Sequence, residues 1–236
     1  MVSEYKIGID IGGTKIRFVL IKGKRLVNKL TIETPKKLKD FNQALNAAVW
    51  KLTGNGKHKI SFVGFGVAGV INNNVVDYSQ NIIYLNGYDF AQALGFKDGK
   101  HISVDNDARV ALWYELKNSS FKKGIVLMLT IGTGIGRAVA EAGQVKTVKD
   151  FEWPEKWEPD YQKLQHSKEL GQYLSYKLWP IIKKYQPRKI IFGGGVINKR
   201  SELVKEIAKY WKQVGYEGKV YKVKPNDYAG ALGAVL

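Results

Sequence analysis

Cysteine is missing altogether from this 236-residue chain, which excludes disulfides, zinc–thiolate sites and cysteine nucleophiles. Histidine is scarce as well: His58, His101 and His166 are too few for a histidine-rich metal centre. No apolar run approaches the roughly 20 residues that span a bilayer. The opening MVSEYK enters a strand-like pattern with no apolar signal core or cleavage site. A cytoplasmic protein without membrane contact is expected. Long basic tracts are also lacking. The 38 Lys and Arg against 21 Asp and Glu give a net charge of +17, but the lysines are scattered through expected helices and turns. Solvated faces account for that pattern, so no nucleic-acid partner is expected, and the field favours a small polyanion. What remains is ordinary for a globular protein. At 44% hydrophobic the chain can bury a core in one large domain or in two modest lobes.

The most informative feature is an internal duplication. Laid over residues 125–150, residues 5–30 bring Ile7-Gly-Ile-Asp10 onto Leu127-Met-Leu-Thr130 and Ile11-Gly12 onto Ile131-Gly132. Arg17 falls on Arg137, Val19 on Val139 and Gly23 on Gly143. Each copy reads as an apolar strand, a Gly/Thr turn, an alternating strand and a glycine turn into a third strand, shorter in the second copy. Helical spacing follows in both. Leu38, Phe41, Leu45, Val49 and Leu52 mark a helix over 37–53, and Leu164, Leu170, Leu174, Leu178 and Ile181 mark one over 161–185, kinked near Pro180. A buried-type strand then leads into VGFGVAGVI in the first half and GGGVI in the second. Residues 105–117 read as a linking helix, 200–214 as another, 219–223 as a strand and 225–236 as a small-residue helix. Two similar α/β lobes about a central cleft are expected. The first covers 1–107, with helix 225–236 packing back on it, and the larger covers 108–224.

The glycine turns carry the chemistry. Asp10-Ile-Gly-Gly-Thr-Lys15 follows a strand, and its glycines let consecutive N–H groups approach phosphate oxygens. Taken alone, such glycines can simply make a hairpin turn. Asp10 at the strand end can orient a Mg²⁺-bound water. Thr130-Ile-Gly-Thr-Gly-Ile-Gly136 is the matching loop of the second half; an alternating segment follows it, not the helix a dinucleotide fingerprint needs. One phosphate-type hairpin per half points to a nucleotide. Gly193-Gly-Gly-Val196 either admits adenine and ribose or is a tight strand-to-helix turn. In Val104-Asp-Asn-Asp-Ala108, Asp105 and Asn106 suit a helix N-cap, and Asp107 suits a general base that accepts a hydroxyl proton. Trp153, Trp157, Tyr161 and His166 are expected to pack between lobes or at a subunit contact.

In order and spacing, DIGGTK at 10–15, GVAG at 66–69, NDA at 106–108, TIGTGIG at 130–136, GGGV at 193–196 and DYAGALGA at 227–234 resemble the ROK family of sugar kinases and repressors. The likeness runs over essentially the whole chain. The compact form and lack of cysteine look like archaeal ATP-dependent hexokinases of broad hexose specificity. The resemblance implies a ribonuclease-H-like, actin-type ATPase fold and transfer of the ATP γ-phosphoryl group to the 6-hydroxyl of a hexose. The acceptor would be glucose or a related sugar such as mannose, glucosamine or N-acetylglucosamine. It gives Asp107 the role of base and places Gly69, Asn81, Asn106, Glu152 and Glu155 with Asp107 at the sugar. It places Asp10, Gly12, Gly13, Thr14, Lys15, Thr133, Gly134, Gly194 and Gly195 at ATP, with Asp10 meeting Mg²⁺ through water. A homodimer is implied too.

One departure matters. Glu152-Trp-Pro-Glu155 stands where the family carries GExGH and a cysteine-rich zinc motif, so no structural zinc is expected. Glu152 then keeps the sugar-binding carboxylate, and Glu155 takes the histidine's place. The competing reading is a sugar-responsive regulator or non-catalytic sugar-binding protein. The phosphate strand begins by about Tyr5, which leaves no room for a preceding helix-turn-helix, and both loops and Asp107 are intact.

Overall fold

The computed structural model describes residues 4–94, 101–119 and 123–236. The chain divides into two units, Met1–Tyr114 with Asn226–Leu236 and Glu115–Pro225. Among the described residues no helix is long and apolar enough to cross a membrane.

Unit 1 is built on β1 (Tyr5–Ile11), β2 (Lys15–Lys22), β3 (Arg25–Glu33), α1 (Leu38–Leu52), β4 (Ile60–Val67), the short hairpin β5 (Val70–Asn72) and β6 (Val75–Tyr78), α2 (Phe90–Ala93), β7 (Ile102–Asn106) and α3 (Asp107–Lys117). Its main sheet has the order β3-β2-β1-β4-β7. β1 runs antiparallel to β2 and parallel to β4. Ile7, Ile9 and Ile11 alternate inward along β1, and Phe41, Leu45, Ala48 and Leu52 form the buried stripe of α1. Their spacing of four, three and four is that of one helix face. Fully burying each large side chain contributes about 1.5–3 kcal/mol.

Unit 2 contains β8 (Ile125–Ile131), β9 (Ile135–Glu141), β10 (Gln144–Lys146), α4 (Lys149–Glu152), α5 (Glu158–Leu164), α6 (Leu170–Tyr185), β11 (Lys189–Gly193), α7 (Gly195–Lys199), α8 (Glu202–Gln213) and β12 (Lys219–Lys222). Its sheet order, β10-β9-β8-β11-β12, repeats that of unit 1 strand for strand. The duplication legible in the sequence is therefore a duplication of topology, with β10 much shorter than β3. α6 and α8 pack on each other, and the Trp211 indole Nε1 donates to the Ser175 carbonyl at 2.9 Å. The chain ends with α9 (Ala229–Gly233), which belongs to unit 1 and lies against β1 and β4.

Three helices differ in extent from those expected. The C-terminal helix expected over 225–236 is only Ala229–Gly233, because Pro225 and a turn in which Asn226 Oδ1 accepts from Tyr228 N–H at 3.0 Å precede it. Asp105 and Asn106 close β7, and the helix begins at Asp107. The segment predicted as one helix over 161–185 is two, parted at 165–169, while Pro180 lies inside α6. The break is closed by tertiary contact: Arg200 Nη1 donates to the carbonyls of Gln165 and Ser167 at 3.0 and 2.9 Å. A guanidinium arriving from α7 leaves no mark on local hydrophobic spacing.

Candidate active site

In unit 1 the hairpin between β1 and β2 is closed by Gly12 N–H donating to the Lys15 carbonyl at 3.1 Å. Its carbonyls are occupied from the side. Thr34 Oγ1 donates to the Gly12 oxygen at 2.6 Å and Thr34 N–H to the Thr14 oxygen at 3.0 Å. Among the described residues no partner accepts from the N–H groups of Gly13 or Thr14, which leaves them for an external acceptor. Gly13 packs closely on Asn81: a Cβ there would lie 3.2 Å from Cβ of Asn81, which would have to give by a few tenths of an ångström. Asn81 is exposed, in a loop pinned by buried Ser79, whose Oγ donates to the Ala68 carbonyl at 2.7 Å and accepts from Ile82 N–H at 3.2 Å. Lys15 opens β2, exposed and paired with Glu33.

Asp10 and Asp107 reach this hairpin from different elements, β1 and the first turn of α3. Burial and the neighbouring Asp107 carboxylate push the Asp10 carboxyl up to about 7, against the pull of Arg17. Arg17 Nη1 stands 3.9 Å from Asp10 Oδ2. Asp107 is raised as well, chiefly by burial, with N–H donors from Ala108 and Asp107 itself and the charge of Arg109 opposing. Two carboxylates in one partly dry corner are poised for a cation and a proton.

Asn106 is buried and committed. Its Oδ1 caps α3 by accepting from Ala108 N–H at 3.0 Å and Arg109 N–H at 3.3 Å, and its Nδ2 donates to the Gly69 carbonyl at 2.9 Å. One Nδ2–H is left for a ligand. Of the two N-cap candidates, Asn106 makes the cap, while Asp105 accepts from Arg109 Nε. Gly69 allows the β5–β6 hairpin to close, since a Cβ there would lie 2.4 Å from the Tyr78 carbonyl.

In unit 2 the corresponding hairpin is closed by Gly132 N–H donating to the Gly134 carbonyl at 2.9 Å. α5 and the turn after it strap it down. The Tyr161 hydroxyl and Gln165 Nε2 donate to the Gly132 carbonyl at 2.5 and 3.1 Å, and Gln162 Nε2 to the Thr133 carbonyl at 3.4 Å. As in unit 1, no described residue accepts from the N–H groups of Thr133 and Gly134. Gly194, at φ +96, sits against β8 so tightly that a Cβ would lie 2.4 Å from the Ile131 carbonyl. Gly195 faces open space. The GGG turn thus joins the second hairpin and opens α7.

The carboxylates expected at the sugar in unit 2 fare differently. Glu152 is half-buried at the end of α4. Glu155 sits 3.0 Å from Arg137 Nη1. Sequence reasoning missed Glu158, which is buried, accepts N–H from Ile135 at 3.4 Å and from Glu155 at 3.0 Å, and pairs with Arg137 at 3.4 Å. Burial raises its carboxyl despite the Glu155 N–H and Arg137. The available signal was a glutamate followed by Pro159 at a helix start. Tyr161, expected between lobes or at a subunit contact, is instead in the core of unit 2, because its hydroxyl finds the Gly132 carbonyl there. Trp157 packs edge-on to Tyr173 within the same unit, whereas Trp153 and His166 are exposed.

Among known proteins the chain is similar to N-acetylmannosamine kinases of Vibrio cholerae (30% identical over 145 residues, 59% of this chain and 48% of that one) and Haemophilus influenzae (26% over 137 residues, 56% and 45%). It spans about half the length of these curated relatives. Among solved structures it is similar to a ROK family glucokinase from Streptomyces griseus in complex with glucose and AMPPNP, at TM-score 0.77 and 20% identity, covering 98% of this chain and 97% of that one. An inorganic polyphosphate/ATP-glucomannokinase from Arthrobacter sp. strain KM gives TM-score 0.75 and 24% identity, with 98% and 96% covered. These likenesses show the fold, the actin-like ATPase type. The ROK family model matches residues 6–148, more than half of the sequence, and the chain belongs to the ROK family.

Proposed function

We propose that this chain is an ATP-dependent sugar kinase that phosphorylates the 6-hydroxyl of a hexose, with Asp107 as the general base. The observation that carries the reading is the carboxylate pair of Asp10 and Asp107 beside a glycine hairpin whose Gly13 and Thr14 N–H groups lack acceptors. Phosphoryl transfer needs little covalent chemistry from protein; it needs charge placement and a proton acceptor.

In the reaction, the sugar O6 attacks the γ-phosphorus while Asp107 takes the hydroxyl proton. The bond from γ-phosphorus to the bridging oxygen breaks, and hexose 6-phosphate and ADP result. A carboxylate raised by burial accepts a proton more readily than one in water, which suits Asp107 to the task. The Gly13 and Thr14 amides bind phosphate oxygens, and Thr133, Gly134, Gly194 and Gly195 form the nucleotide side of unit 2. Asn81 and the spare Asn106 N–H orient sugar hydroxyls near Asp107, with Gly69 holding Asn106. Glu152 and Glu155 are proposed at the sugar from the family pattern.

Among the described residues no group of three or more His, Asp or Glu is placed to hold a metal. Asp10, with Asp107 beside it, nevertheless fits Mg²⁺: both are hard oxygen donors, and Mg²⁺ uses one or two carboxylates and keeps its waters. Bound there, the ion would neutralise charge on the phosphates.

A coupled assay for ADP tests the reading across glucose, mannose, glucosamine, N-acetylglucosamine and N-acetylmannosamine. Replacing Asp107 by Asn should lower kcat about 10²–10⁴-fold with nucleotide binding retained. Near-normal turnover in that variant, or no sugar-dependent ADP from the native chain, overturns it.

A further inference from the structure

The segment DYAGALGA at 227–234 has so far no part in the chemistry, yet its backbone reaches both carboxylate-bearing elements. A Cβ on Gly230 would stand 2.7 Å from Asp10 Cγ, 2.9 Å from its Oδ2 and 3.0 Å from its Oδ1. On Gly233 a Cβ would stand 1.9 Å from the carbonyl oxygen of Val110, one turn along α3 from Asp107. Between these two points the Ala231 carbonyl oxygen lies 1.9 Å from where a Gly8 Cβ would be. α9 therefore has no slack: it cannot retreat from Asp10 without lifting off β1. Its approach is tied on both flanks. Asn226 Nδ2 donates to the Tyr114 hydroxyl at 2.8 Å, and the Tyr228 hydroxyl is 3.0 Å from Thr31 Oγ1, with Lys29 Nζ 4.9 Å from its ring.

We propose that Gly230 and Gly233 are positioning residues that set where the Asp10 carboxylate stands relative to Asp107. Gly230 supplies the space that the Asp10 side chain occupies. Gly233 lets α3 settle onto α9, so that Asp107 is held at the same gauge. This inference rests on the kinase reading above, because the spacing matters through phosphoryl transfer. A misplacement of about 1 Å far from the bond being made can cost roughly 10²-fold in rate.

The experiment compares Gly230→Ala and Gly233→Ala with Gly56→Ala. The last is a packing control in unit 1, at φ +79, whose Cβ would meet the Trp50 ring at 2.5 Å and neither α9 nor a carboxylate. Melting temperature, kcat, KM for ATP and for sugar, and crystal structures are obtained for each. The two test variants should lose about tenfold or more in kcat with sugar KM within about threefold. Gly56→Ala, also destabilised, should keep kcat within about twofold when assayed well below its melting temperature. The Gly230→Ala structure should show the Asp10 carboxylate displaced. Unchanged kcat in a folded Gly230→Ala protein, or an equal loss in Gly56→Ala, overturns the inference, as does an Asp10 carboxylate that has not moved. If the native chain phosphorylates none of the sugars, the kinase reading has failed on its own, and the position of Asp10 in the Gly230→Ala structure decides the inference alone. Should neither test variant fold, Tyr228→Ala, which cuts the tie to Thr31 on the exposed face, should lower kcat at least about threefold. No change there overturns the inference.

Discussion

Asp10 offers a test that needs no substrate. Its carboxyl is raised from 3.8 to about 7 in the folded protein, first by burial and second by Asp107. A group whose folded pKa is raised stabilises the fold in its protonated form. That contribution is complete below the unfolded value and is lost as pH rises through the folded one. The window therefore runs from about pH 4 to pH 7, and stability from this group falls as pH rises. Between pH 5 and pH 8 the loss works out at about 2–3 kcal/mol from the proton-linkage relation. Only 19% of the Asp10 side chain is exposed, so solvent screening takes little from that figure. Asp10→Asn removes the titrating group and keeps the shape. The variant should be about as stable as the native chain at pH 5 and more stable at pH 8, with a flatter slope. The assay is urea unfolding in chelator at both pH values, with peptide-resolved hydrogen exchange over β1 so that unit 1 is read apart from unit 2. Equal slopes for native and variant proteins would refute the reasoning, because the pair would then not be sharing a partly dry corner.

Two further outcomes concern unit 2. Gly194→Ala places a Cβ 2.4 Å from the Ile131 carbonyl at φ +96, and should destabilise that unit by about 2 kcal/mol or more, read from its denaturation midpoint. Glu158→Gln leaves the buried Arg137 guanidinium short of its most deeply buried counter-charge, and should destabilise by about 3 kcal/mol. Equal melting of native and Gln variant would show that Glu155 alone holds Arg137.

The duplication was legible because β1 and β8 are apolar strands ending in glycine hairpins, and period-two spacing is a local property; the order of strands within each sheet was not. The placing of Asp107 beside Asp10 was not legible from spacing, since β4 and β7 intervene between β1 and α3. What signalled Asp107 was its position at a helix start after an apolar strand. Asn106 shows the limit of that signal. Its side chain was expected at the sugar, yet most of its hydrogen-bonding capacity serves the cap and Gly69. The break between α5 and α6 and the burial of Glu158 depend on Arg200 and Arg137, which arrive from distant sequence. Spacing records a segment's own period and says nothing of a guanidinium from elsewhere. Glu158 escaped notice for a further reason: a glutamate in a run of Trp, Pro, Lys and Asp reads as solvated surface until the strand it faces is known.

The two units use one corresponding position with different partners. Arg17 and Arg137 coincide when the halves are laid over each other, each on the second strand after its glycine hairpin. In unit 1 the arginine is a quarter exposed and its carboxylate, Asp10, ends the first strand of the same hairpin. In unit 2 the place of Asp10 is taken by Thr130, and Arg137 turns to Glu155 and Glu158. Both arginines thus face carboxylates, Asp10 with Asp107 near it in unit 1 and the neighbouring pair Glu155 and Glu158 in unit 2. On the kinase reading proposed above, the carboxylates that suit a hydrated cation, Asp10 and Asp107, both lie in unit 1, and Thr130 offers unit 2 only a hydroxyl at the place of Asp10.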